Sequence, residues 1–72
     1  MNNIESRITF YYAEIDLETG ECIGLCKRSY TTNFPEYILI PVYDEEYFEK
    51  YYIDGNWYED AEGTIPWTSS LI

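Results

Sequence analysis

The sequence predicts a mostly β fold: a small antiparallel sheet of two hairpins plus a central strand, with room for one short helical turn. Three observations carry that expectation. Short runs rich in β-branched and aromatic residues recur along the chain, tight-turn residues separate them, and one continuous apolar run (Tyr37–Val42) stands between the two turn signals.

The first strand is predicted at Ile8–Asp16, which has no Gly or Pro. Its faces are Ile8, Phe10 and Tyr12 on one side and Thr9, Tyr11, Ala13 and Ile15 on the other, so it reads as covered on much of both. Leu17–Gly20 is a turn, with Gly20 available for positive φ. Glu21–Ser29 returns as the partner strand, Ile23, Leu25 and Lys27 on one face, Cys22, Gly24, Cys26 and Arg28 on the other. Gly24 inside it signals a bulge or a close backbone approach. Tyr30–Glu36 is a loop, and Tyr37–Val42 reads as a buried strand whose closing residues Pro41 demotes to an edge or a strand exit. In Tyr43–Lys50, Asp44 is placed to cap a single helical turn with Tyr47 and Phe48 pointing inwards. Asp54-Gly55 between aromatic pairs marks a tight hairpin within Tyr51–Glu59, bringing Tyr52 near Trp57 and Tyr51 near Tyr58. Residues 1–63 read as one small β-rich domain. Residues 64–72 (TIPWTSSLI), with no charged side chain, read as an extended apolar arm that docks on its own sheet or on a neighbour.

Composition narrows the function. The chain has 72 residues, with 14 Asp and Glu against 4 Lys and Arg, no His, and a formal net charge of −10. A hydrophobic fraction of 46%, led by 9 Tyr, 3 Phe and 2 Trp, is too rich in aromatics for a disordered acidic chain. So few cations cannot neutralise a nucleic-acid backbone, and an anionic membrane surface repels the chain; neither partner is expected. MNNIESR carries no apolar leader segment, which predicts synthesis in the cytoplasm. Cys22 and Cys26 lie four strand steps apart, roughly 13 Å, which predicts two free thiols.

No cofactor, metal or catalytic residue is expected. Without His there is no Ser-His or Cys-His pair and no ligand set for zinc. Asp54–Glu62 is acidic but lacks the ligand spacing of a calcium loop. Asp44, Glu45, Glu46 and Glu49 form a run of like charges, which is first of all a solvated face. The aromatics point instead to protein contacts, because a core this small cannot hide nine Tyr. Expected interaction residues are Tyr43, Tyr47, Tyr51 and Tyr58, the carboxylates Asp44, Glu45, Glu46 and Glu49 among them, and Trp67, Leu71 and Ile72 of the arm.

FYYAEIDLETGECIGLCKRS followed by YILIPVYDEEYFEKYYIDGNWYED resembles small tail-associated proteins of phages and prophages of Gram-positive bacteria. The matching residues are Tyr11, Tyr12, Ile15, Cys22, Gly24, Tyr37, Ile38, Ile40, Pro41, Tyr43, Asp44, Lys50, Tyr51, Asp54, Gly55, Trp57 and Glu59. The resemblance covers residues 8–60 and implies a structural module without catalysis. Its partner would be another phage structural protein or a second copy of itself, and its place the host cytoplasm at synthesis and the virion thereafter. The charge supports a different expectation: an acidic inhibitor that offers carboxylates in place of DNA phosphates to a basic host nuclease or defence protein.

Overall fold

The computed structural model describes residues 8–72; the leader reading of residues 1–7 lies outside them. The fold is mostly strands. β1 (Phe10–Ile15), β2 (Cys22–Arg28) and β3 (Tyr37–Ile40) form one antiparallel sheet, and β4 (Tyr51–Ile53) and β5 (Asn56–Tyr58) form a second, two-stranded one. A 3-10 turn, Glu45–Tyr47, lies between them. Among the described residues no helix is long and apolar enough to cross a membrane.

The first hairpin forms where the turn residues place it. Gly20 has φ +84°, and Asp16 closes the turn by accepting from the backbone N–H of Gly20 and, through its carboxylate, from that of Glu18. The ladder runs from Phe10↔Arg28 to Glu14↔Gly24 and then slips, so that Ile15 pairs with Cys22. Ile23 is therefore an extra residue, a β-bulge beside Gly24. The bulge corrects the expected faces. Cys22 turns in beside Leu25 to join Ala13, Ile40 and Tyr47 in the core, while Ile23 swings out to 54% exposure. It also sends Cys22 and Cys26 to opposite faces, and both thiols are free.

The strand order β2-β1-β3 corrects a second expectation. β1 is the central strand, paired along both edges, and β3 is an edge. The apolar run Tyr37–Val42 predicts a buried strand; β3 pairs with β1 alone, and while Ile40 on the core face is buried, Leu39 on the other face is 57% exposed. The strand stops at Pro41, which has no N–H to continue a ladder.

A seam joins the two sheets. The N–H of Cys22 donates to Lys50, that of Tyr52 donates to Gly20, and Glu21 bridges Tyr51. Asp54 (φ 50°) and Gly55 (φ 87°) both adopt left-handed backbone, the geometry of a type I′ hairpin. Tyr51↔Tyr58 and Tyr52↔Trp57 face each other across it as the sequence predicts. The arm then lies along β5: Glu59 N–H donates to Ile65, Trp67 N–H donates to Trp57, and Tyr58 bridges Pro66. Backbone connectivity therefore runs β3-β1-β2-β4-β5-arm, curled around Tyr47.

Tyr47 is the plug of the core. It is 2% exposed and packs edge-on against Trp57 at 4.9 Å and Trp67 at 4.8 Å between ring centres. Phe48, expected to point inwards beside it, is instead 41% exposed, since the chain leaves helical geometry at that residue (ψ 139°). The other face of β1 is covered by Tyr37 and by the loop after β2. Tyr12, buried there, meets the Tyr37 ring edge-on, and its hydroxyl accepts from the N–H of Thr32.

Candidate functional site

The free edge of β3 is the feature around which a site is built. Ile15 N–H donates to Glu36, so alternate residues of the following strand, Ile38 and Ile40, turn their backbone groups to β1. Tyr37 and Leu39 turn theirs outwards. The Tyr37 N–H donates to Phe34 in the preceding turn, which leaves the Leu39 amide on an edge that is open among the described residues.

Because the sheet curls, this edge faces the arm across a groove of about 290 Å³. Leu39 and Pro41 form one wall; Trp57, Trp67 and Ile72 form the other; Tyr47 lies between. A second, shallower depression of about 400 Å³, bordered by Phe10, Tyr11 and Ile40, shares Leu39 and Pro41 with the first. The apolar strip thus continues along β3. Two exposed apolar side chains line the groove, Leu39 and Ile72, and Leu71 beside Ile72 in the chain is exposed as well.

The arm is held in place by carboxylates. Asp44, buried, caps the 3-10 turn by accepting from the N–H of Glu46 and also accepts from the Ser69 hydroxyl. Asp60 accepts from the Thr64 and Ile65 N–H groups and from the Thr64 hydroxyl. The Thr64 hydroxyl, with the backbone donors, holds the Asp60 carboxyl below its ordinary range. Glu46, exposed, accepts from the Ser70 hydroxyl at 3.3 Å and so ties the 3-10 turn to the arm next to Ser69.

The expected interaction residues are therefore divided. Tyr47, Trp67 and Ile72 meet at the groove, while Glu46 is bonded to Ser70 of the arm. Asp44 and Tyr47 are buried and act as cap and plug, so neither projects from the surface. Tyr43 stands under Lys27 and against Tyr11, Tyr51 and Tyr58 are half-buried partners in the second hairpin, and Glu45 and Glu49 are exposed. Leu39, Pro41 and Trp57 are wall residues that the sequence does not single out as a site. Pro41 is the available signal, since a proline after an apolar run marks an edge.

Among the described residues the cations share one placement. Lys27 lies over the Tyr43 ring, Arg28 over Tyr30 and Tyr37, and Lys50 over Trp67. Burial pushes the Cys22 thiol up from its ordinary range, and its S–H donates to the Gly24 carbonyl. That is the opposite of an activated thiolate. Among the described residues no three His, Cys, Asp or Glu side chains gather as a metal ion requires. No protein-family model matches the chain, and neither the curated proteins nor the solved structures compared with it give a match.

Proposed function

We propose that the chain is a protein–protein interaction module without catalysis, an accessory component associated with the tail of a phage or prophage particle. The observation that carries the interaction reading is the groove itself: an apolar strip beside an open strand edge, with large side chains left in solvent around it. The particle setting rests on the resemblance of residues 8–60 to tail-associated proteins. Asp16, Asp44 and Asp60 support this reading over that of an acidic decoy, because their carboxylates are turned onto backbone N–H groups of their own chain.

Quantitative mass spectrometry of purified particles from the source genome tests it. The chain is expected at a fixed copy number per particle. Recovery only in the soluble fraction of the lysate would overturn the particle reading.

A further inference from the structure

Resting on that interaction reading, we infer that the groove takes a short extended segment of a partner protein, apolar on one face and bearing Lys or Arg on the other, which adds as a strand to the free edge of β3.

The backbone sets the mode of binding. β3 presents an outward amide at Leu39 flanked by apolar side chains, and a strand laid beside it would send alternate side chains into the groove between Leu39 and the two Trp rings. The opposite edge of the sheet, β2, is bonded to Lys50 at the seam and beyond it carries the Ile23 bulge and Lys27, both of which discourage strand addition. β3 has neither device. Its length, Tyr37–Ile40, and the proline that follows limit the added strand to a few residues.

Charge sets the chemistry of the occupant. Glu36 stands at the start of β3, and Glu45 and Glu46 follow its end, with Glu46 bonded to Ser70 beside the groove-lining Ser69. Lys27, Arg28 and Lys50 are drawn onto aromatic rings, and the chain carries a net charge of −10. A second copy would bring the same negative charge to the same edge and be repelled; a basic segment is attracted.

The chain's two Trp residues, Trp57 and Trp67, both line the groove, so their emission reports its occupancy directly. The probe is a synthetic peptide alternating Val and Lys, titrated into the full chain. Saturable change in Trp emission and slowed hydrogen exchange at the Leu39 amide are expected. A Val–Glu peptide should bind about tenfold more weakly or worse. N-methylation of alternate amides in the Val–Lys peptide should abolish binding. So should the variant Leu39→Lys, at an exposed position, while circular dichroism stays unchanged. Equal binding of the N-methylated peptide, or binding that leaves Leu39 exchange untouched, overturns strand addition. Concentration-dependent self-association that protects Leu39 would make a second copy the occupant and overturn the basic-segment assignment. Particles that retain the chain although the peptide does not bind refute this inference alone. Particles without the chain refute the particle setting and leave peptide binding to decide the groove.

Discussion

The two halves of the molecule are held together by different physics. The β2-β1-β3 sheet is held by a long backbone ladder and buries Tyr12, Ala13, Ile15, Cys22 and Ile40. The β4-β5-arm half has short strands. It draws its cohesion from the rings of Tyr47, Tyr52, Trp57 and Trp67 and from the caps of Asp44 and Asp60. Ladder hydrogen bonds tolerate a change of side chain, whereas a cluster of rings around one plug does not. Tyr47 belongs to both halves, so the difference in construction does not make them independent.

Tyr47→Ala should remove what the two halves share. Truncating a large buried ring costs about 3–5 kcal/mol, a large share of the stability available to a domain of this size. Urea unfolding should lose its cooperative transition in both halves together. A variant whose three-stranded sheet still melts sharply would show that the ladder stands without the plug.

The two turn glycines differ in what surrounds them. Both have positive φ, but a Cβ at Gly20 would lie 2.6 Å from the Tyr52 carbonyl oxygen, whereas at Gly55 nothing lies within 4 Å. Gly55→Ala therefore meets only backbone strain, about 1 kcal/mol. Gly20→Ala adds a clash with the backbone across the seam and should cost about 2–3 kcal/mol. Equal melting temperatures for the two variants would mean that the seam yields freely.

Acid should act on the arm before the ladder. The Asp60 carboxyl is held below its ordinary range by the Thr64 hydroxyl and the backbone N–H groups. A lowered folded pKa gives a contribution fully present above the unfolded Asp value of about 3.9 and lost as pH falls through the folded one. Trp emission should therefore change below about pH 4 while far-ultraviolet circular dichroism holds, and Asp60→Asn should remove that step. The smallest effect concerns the thiols. Brief alkylation of the folded chain should modify Cys26, half-buried, ahead of Cys22, whose buried thiol has a raised pKa.

The hairpins were legible because their signals are local. Asp54-Gly55 and Gly20 need left-handed backbone, and the residues beside them supply strands whatever the rest of the chain does. The Asp44 cap was legible for the same reason. The order of the strands was not, because Tyr37–Val42 is apolar at every position and carries no alternation to say which face or edge is open. The bulge at Ile23 moved Cys22 and Ile23 off their expected faces although Gly24 announced it, since a bulge can be suspected from one glycine while its register depends on the partner strand. Of the groove, the sequence pointed to Tyr47, Trp67 and Ile72; Leu39 and Trp57 became its walls only through the curl of the sheet.

The arm also sets an order of events during synthesis. Tyr47 is sealed by Trp67, and Asp44 finds its hydroxyl partner at Ser69, 25 residues later. While the ribosome still holds the segment that contains them, the first hairpin can pair but the plug has only part of its cover. Completion of the core therefore waits until the chain through Ser69 has emerged, and the β1–β2 hairpin must persist until then with its aromatic face open to water.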